Sequence, residues 1–223
     1  MPSIPLTTSL TPLLPYLTLA LGSYLLGSVP VGVLVSKATL GVDLRQYGSG
    51  RTGATNALRV LGPRGSAVVF LGDFAKGLVP VWVAGQFLQS DMASVIAGLG
   101  AIAGHNWSVF LGFQGGRGVS TGLGALVTME PRAAIVTAVV GIVVVVVSRY
   151  VSLGSLAGTI AGALALTWLV LSGVRAPTYL TYAVVAALMV IFQHRDNIQR
   201  LLAGTERRLG ERSSPPGGAP GRG

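Results

Sequence analysis

The stretch Leu123-Gly124-Ala125-Leu126-Val127-Thr128-Met129-Glu130-Pro131-Arg132-Ala133-Ala134-Ile135-Val136 decides how the chain folds. It sits inside an apolar run from 119 to 148 that could be one long helix. A proline inside a helix removes an amide donor and crowds the preceding turn. With a charged residue on each side of it, Pro131 predicts a reversal and two short spans, 119–129 and 133–148.

Working outward, the whole chain has the character of that stretch. Its 223 residues are 51% hydrophobic and 10% charged, against roughly 25% charged in a soluble domain. That excludes a water-soluble single domain. Further apolar blocks run over about 10–38, 66–88, 92–111, 152–172 and 177–193, several near the roughly 20 residues that span a bilayer. Seven spans put 14 of the 16 basic residues on one side and leave Arg132 and Arg175 on the other. The positive-inside rule makes the richer side cytosolic. A six-span reading separates Arg117 from Arg149 and fits this charge pattern less well. The expectation is an all-α polytopic membrane protein with seven transmembrane helices, N-terminus outside and C-terminus cytosolic.

The first basic residue, Lys37, follows the first apolar block, so that block reads as a retained span and not as a signal peptide. Residues 1–208 read as a single transmembrane domain, and 209–223 as a disordered Pro/Gly-rich cytosolic tail. The absence of cysteine excludes disulfides, thiolate metal sites and a cysteine nucleophile. Two histidines and seven carboxylates offer no dedicated metal cage, so neither metal nor cofactor is expected. The net charge of +9 follows from membrane sidedness, and no nucleic-acid partner is read from it.

Three polar clusters fall on the basic side. The first runs from Gly48 to Arg59. Gly48, Gly50 and Gly53 match G-x-G-x-x-G literally, but no βαβ unit surrounds them, and Ala54 stands where a Walker lysine would. The glycines can still turn amides toward an anion. Ser49, Thr55 and Asn56 add donors, a short helix over Thr55–Leu61 would present its N-terminus, and Arg59 can fork onto phosphate. The competing reading is a plain juxtamembrane turn. The second cluster, Gly115-Gly116-Arg117-Gly118, is another glycine turn entering a helix, where Arg117 is either an anion ligand or a topology-setting charge. The third is His194-Arg195-Asp196-Asn197. His194 and Asn197, at i and i+3, share a helix face, and an imidazole near its ordinary pKa suits proton removal. An interfacial structural histidine is the alternative. Asp196, at i+2, does not face His194. Asp73 and Lys76, at i and i+3 inside the second apolar block, read as a structural ion pair.

Together these clusters resemble the bacterial integral-membrane glycerol-3-phosphate acyltransferases that use acyl phosphate as donor. The resemblance covers about residues 20–208. It rests on Leu26-Gly27-Ser28-Val29-Pro30, Val42-Asp43-Leu44-Arg45, the Gly48–Arg59 loop, Asp73-Phe74-Ala75-Lys76-Gly77, Gly104-His105, Gly115-Gly116-Arg117-Gly118, Arg149-Tyr150-Val151-Ser152-Leu153 and His194-Arg195-Asp196-Asn197-Ile198. It implies acyl transfer from acyl phosphate to the 1-hydroxyl of glycerol 3-phosphate, giving lysophosphatidic acid and phosphate. The implied setting is the inner membrane of a bacterial cell, with the active site facing the cytosol, membrane lipid around it and no obligatory protein partner. By the same resemblance Ser49, Thr55, Asn56, Arg59, Gly115, Gly116, Arg117 and Gly118 bind phosphate. His194 and Asn197 are catalytic, and Glu206 is structural. Two positions depart from the family pattern. Arg51 stands where Asn is usual, and Gln114 where Lys is usual; Arg51 could restore the charge that Gln114 lacks.

Acyl phosphate is already activated, so such an enzyme needs only to position two anions and deprotonate a hydroxyl. The other glycerolipid acyltransferase signature, H-x4-D, is absent, since Phe110 and Gln199 stand at the aspartate positions. A transporter of an organic phosphate is the alternative. It would place ionisable groups at mid-membrane within an inverted repeat, and here the polar groups cluster at one face.

Overall fold

A computed structural model describes residues 13–211, and every regular element among them is helical. Nine α-helices follow one another: α1 (Leu14–Ser28), α2 (Val31–Leu40), α3 (Ala54–Phe87), α4 (Asp91–Asn106), α5 (Val119–Met129), α6 (Pro131–Ser148), α7 (Val151–Leu171), α8 (Tyr179–Gln193) and α9 (Arg195–Leu202). The chain reverses between α5 and α6 at Glu130, which caps α6 by accepting from the Arg132 amide, with Pro131 in the first turn where its missing N–H costs nothing.

Among the described residues five helical segments are long and apolar enough to cross a membrane: Leu14–Leu40, Ala54–Phe87, Asp91–Leu111, Pro131–Ser148 and Val151–Leu171. Two further apolar helices, Val119–Met129 and Tyr179–Gln193, are shorter. The first apolar block is not one continuous helix, because it breaks at Val29-Pro30 into α1 and α2. The second block begins earlier than its hydropathy implies. α3 starts at Ala54 and kinks at Gly62, whose φ of +75° only glycine adopts readily, so 54–61 forms a separate first segment. The tail is expected from 209 onward, and most of it falls outside the described residues. Leu209 is hydrogen-bonded to Arg149 through both its amide and its carbonyl, and residues 212–223 lie outside the described part.

Helix packing depends on small residues. α1 lies against α4, and a Cβ at Gly104 would collide with the Tyr24 carbonyl. α3 lies against α5, and a Cβ at Gly77 would collide with the Thr121 carbonyl. Such close backbone approach is how apolar helices associate where no hydrophobic force separates them from lipid. The core lies among α3 to α8, around Ile102, Ala125, Met129, Ala133, Leu166 and Tyr182. The outer face of α6 carries exposed Ile135, Val139, Val143 and Val147, a surface suited to hydrocarbon.

The turns segregate to two ends. At one end Glu130 is paired with Arg132 and Arg175, and Tyr179 donates to Asp91 at 2.8 Å. At the other end the 41–53 loop, the 107–118 loop, the α6–α7 turn and the α8–α9 junction meet.

Candidate active site

At that second end a cavity of about 610 Å³ runs into the bundle. Its polar part is built from the start of α3, the 117–120 turn, the α8–α9 junction and the segment after α9. Arg51, Arg59, Arg117, His194, Arg200 and Arg207 all line it. Its apolar part passes between helices along Phe70, Leu123, Ile142, Val145 and Val146. Asp73 is ion-paired with Lys76 and Glu206 with Arg200, whereas Arg59, Arg117 and Arg207 have no ionic partner among the described residues. The polar end therefore carries uncompensated positive charge beside an apolar groove.

In the first loop Ser49, Thr55 and Arg59 line the cavity. Gly53, with an extended backbone, precedes the helix and leaves the first amides of α3 beside the cavity, where the helix terminus favours an anion. Asn56 lines the cavity as well, with its side chain already engaged by the loop. It is buried, its Oδ1 accepts from the Ser49 amide at 3.0 Å, and its Nδ2 donates to the carbonyls of Leu44, Tyr47 and Arg51 at 2.9–3.1 Å. With its amide group and carbonyl both engaged by backbone, Asn56 holds the loop in shape and has no donor left for a substrate.

The second loop spends its first two glycine amides within the protein. The Gly115 amide donates to the Asn106 carbonyl at 3.2 Å and the Gly116 amide to the His105 carbonyl at 2.9 Å. Neither residue lines the cavity. Their glycine identity answers to crowding, because a Cβ at either position would collide with His105. Gly118 does line the cavity, with φ +78° at the start of α5. Arg117 points into the cavity with Nε buried and without a partner among the described residues. Burial, with Arg51 adding to it, pushes the Arg117 guanidinium down to about 10, which still leaves it charged at neutral pH. Gln114 is exposed and lies outside the cavity lining, while Arg51 lines it and reaches Gln193 at 3.4 Å and Asp196 at 3.3 Å.

At the α8–α9 junction His194 and Asn197 both line the cavity and both are buried. His194 Nδ1 lies 2.8 Å from the Val190 carbonyl. A carbonyl can only accept, so Nδ1 carries the proton and Nε2 is the basic nitrogen. The imidazole is not near its ordinary pKa. Burial above all, with Arg117 and Arg51 adding, outweighs the pull of the Val190 carbonyl and pushes it down to about 4. His194 is therefore neutral at neutral pH. Asn197 donates to Glu206 Oε1 at 2.6 Å. Glu206 also accepts from Ser152 at 2.9 Å and Arg200 at 2.8 Å, which ties the segment after α9 across the start of α7. Burial pushes the Glu206 carboxyl up, but these hydrogen bonds outweigh it and hold the group below the ordinary range.

Asp73 and Lys76 form the expected pair, 2.8 Å apart and buried, and the structure adds His105, whose Nδ1 lies 3.5 Å from the same Asp73 oxygen. Sequence reading assigned no role to Arg200 or Arg207. Arg200 continues the three-residue spacing of His194 and Asn197. Arg207 lies in the non-helical segment after α9, where no periodicity points to it.

A family model described as glycerol-3-phosphate acyltransferase matches residues 17–204. A glycerol-3-phosphate acyltransferase of Thermoanaerobacter sp. (strain X514) is 40% identical over 196 residues, covering 87% of this chain and 96% of the relative. One of Synechococcus sp. (strain CC9902) is 46% identical, covering 88% and 96%. The fold is similar to the crystal structure of PlsY (YgiH), an integral membrane glycerol 3-phosphate acyltransferase, in its glycerol 3-phosphate form. The TM-score is 0.81 at 39% identity, over 88% of this chain and 96% of that one. Its lysophosphatidic acid form gives a TM-score of 0.79 at 38% identity.

Proposed function

The chain belongs to the glycerol-3-phosphate acyltransferase family, and we propose on that premise that it moves a fatty acyl group from acyl phosphate to the 1-hydroxyl of glycerol 3-phosphate. The chain is an integral-membrane acyltransferase of phospholipid synthesis; the donor, the product and the roles of individual residues are the proposed part. The products are lysophosphatidic acid and inorganic phosphate.

The observation that carries this reading is the continuity of one cavity from Arg51, Arg59, Arg117 and His194 to the apolar groove along Phe70, Ile142 and Val145. Two phosphates and an acyl chain need that combination. In the proposed reaction the hydroxyl oxygen attacks the acyl carbonyl, the bond from that carbon to the phosphate oxygen breaks, and phosphate leaves with the bonding pair. The hydroxyl proton passes to His194 Nε2, the nitrogen that the Val190 contact leaves basic. A histidine held neutral is ready to accept that proton, and the negative charge of two bound phosphates would raise its basicity as substrate binds. Ser49, Thr55, the start of α3, Arg59, Arg117 and Gly118 are proposed to hold phosphate. Asn197, fixed by Glu206, is proposed to orient the hydroxyl.

The proposed topology has seven crossings with this face in the cytosol of a bacterial inner membrane. α5 rises only ~16 Å and α8 ~22 Å, short of a ~30 Å hydrocarbon core. The residues that follow them, Glu130 after α5 and His194 after α8, are buried, and irregular backbone at membrane depth is tolerated where protein covers it.

The test is phosphate release by the purified protein supplied with acyl phosphate and glycerol 3-phosphate, with acyl-CoA and acyl carrier protein donors run alongside. Release that depends on acyl phosphate supports the reading. Acylation from acyl-CoA alone overturns the donor assignment, and no acylation from any donor overturns the reaction.

A further inference from the structure

Three buried ionisable groups lie beside the cavity with no part in the proposed chemistry. Asp73 on α3 is paired with Lys76 at 2.8 Å, and Lys76 Nζ donates to the Val29 carbonyl at 3.0 Å, where the chain breaks between α1 and α2. The same Asp73 oxygen faces His105 Nδ1 at 3.5 Å, near the end of α4. Ionic groups this deep cost several kcal/mol each to desolvate, so the ring packs beside an expensive pair, although its Nδ1 makes no hydrogen bond among the described residues.

An Asp–His pair lining a reaction cavity invites a base reading, but the geometry opposes it. The other nitrogen, Nε2, is pressed against Gly116, where a Cβ would collide with it. Both faces of contact between His105 and the second loop are occupied: the ring lies on Gly116, and the carbonyl accepts the Gly116 amide at 2.9 Å. The next residue in the chain is Arg117, which enters the cavity with its Nε unpartnered.

We propose that His105, packed between the buried Asp73–Lys76 pair and Gly116, is a positioning residue that sets Arg117 for phosphate from behind the glycine loop. The inference rests on the proposed function only in taking Arg117 to meet a phosphate. It accounts for two glycines whose amides are not offered to the cavity: Gly116 lets the loop lie directly on the imidazole, and Gly115 lets it lie on the backbone carbonyls of His105 and Asn106. It also accounts for an ion pair placed at the start of that support and not at a helix end. Removing the ring lets the loop relax toward the space it filled, and Arg117 loses its fixed direction while its charge remains.

The test is a double-mutant cycle read by glycerol 3-phosphate binding in calorimetry and by KM and kcat. His105→Leu in the wild-type background is expected to weaken binding and raise KM roughly tenfold while kcat changes less than about threefold, the pattern of lost binding without lost chemistry. In an Arg117→Gln background the same substitution is expected to change binding less than about twofold. A general structural role would give effects that multiply across the two backgrounds, and that result overturns the proposal, as does unchanged binding in His105→Leu. Should His105→Leu fail to fold, Gly116→Ala and the double variant Asp73→Asn, Lys76→Met carry the same cycle. They displace the ring from the loop side and from the anchor side without leaving a lone buried charge. A wild type that binds glycerol 3-phosphate but acylates nothing sinks the proposed function and leaves this cycle readable by calorimetry alone.

Discussion

The Asn197 amide donates to Glu206 Oε1 at 2.6 Å, across a non-helical turn that joins the cavity wall to the segment after α9. Ser152 and Arg200 donate to the same carboxylate, so one buried group fixes α7, α9 and the chain beyond. Glu206→Ala leaves three donors without their acceptor. It is expected to cost about 2 kcal/mol and to lower the melting temperature in detergent by roughly 4–8 °C. Glu206→Gln turns one acceptor into a donor facing Asn197 or Arg200 and is expected to recover less than half of that loss. Thermal melts of both variants check the order.

Asn56 leads to a separate expectation. Its amide serves three carbonyls of the 44–51 loop, so Asn56→Asp sets a carboxylate against acceptors and should release the loop. Hydrogen exchange of amides 44–53 is expected to accelerate, and KM for glycerol 3-phosphate to rise at least about tenfold through loss of the positioned helix terminus. A KM rise with unchanged exchange would return Asn56 to the role of direct ligand.

The pH profile separates His194 from an ordinary histidine. The active form is neutral, so activity is present above the folded pKa and is lost as pH falls through it. With the imidazole pushed down to about 4, kcat/KM, corrected for ionisation of the substrate phosphate near pH 6, is expected to stay flat through pH 6.5 and fall only below about pH 5. His194→Ala is expected to lose about 10²–10⁴-fold in kcat, the range for a positioned base. Near-normal turnover in that variant would pass the base role to the substrate phosphate.

Much of this architecture is legible in the chain because its signals are local. Glu130-Pro131-Arg132 predicts the α5–α6 reversal, and the helices on both sides end where the apolar blocks end. The three polar clusters predict residues that the fold brings to one cavity, since each lies at a turn on the basic side. What is not legible is how each polar group spends its hydrogen bonds. Asn56 and the amides of Gly115 and Gly116 look like anion donors by type and spacing, and only their three-dimensional neighbours show that backbone carbonyls already hold them. The contact of His105 with Asp73 joins residues 32 positions apart on different helices. No periodicity within one helix announces such a pair.

At the opposite end Glu130 is held by Arg132 first and Arg175 next, against the cost of burial, with its carboxyl pushed down to about 2. The depressed pKa contributes stability that is complete above its ordinary value of about 4.5 and is lost as pH falls toward 2. Glu130→Gln is therefore expected to lower the melting temperature at pH 7, by an amount that shrinks below pH 4. Because Glu130 lies away from the cavity, KM for either substrate should stay within about twofold.

Arg51 and Gln114 differ in where they sit, and that decides whether one replaces the other. Arg51 lines the cavity and leans toward Asp196 at 3.3 Å, a pair with one exposed partner and correspondingly little energy. Its guanidinium is thus free to turn toward an arriving anion. Gln114 is exposed outside the lining, so a lysine there would meet solvent more readily than substrate. Arg51→Asn is expected to raise KM about three- to tenfold with a steeper dependence on salt, since one screened cation is removed. Gln114→Lys is expected to change KM less than about twofold. Residues that share no partner add, so the double variant should equal the product of the singles. A double variant that restores wild-type KM would show that the two positions exchange charge, and would place residue 114 within reach of the bound phosphate.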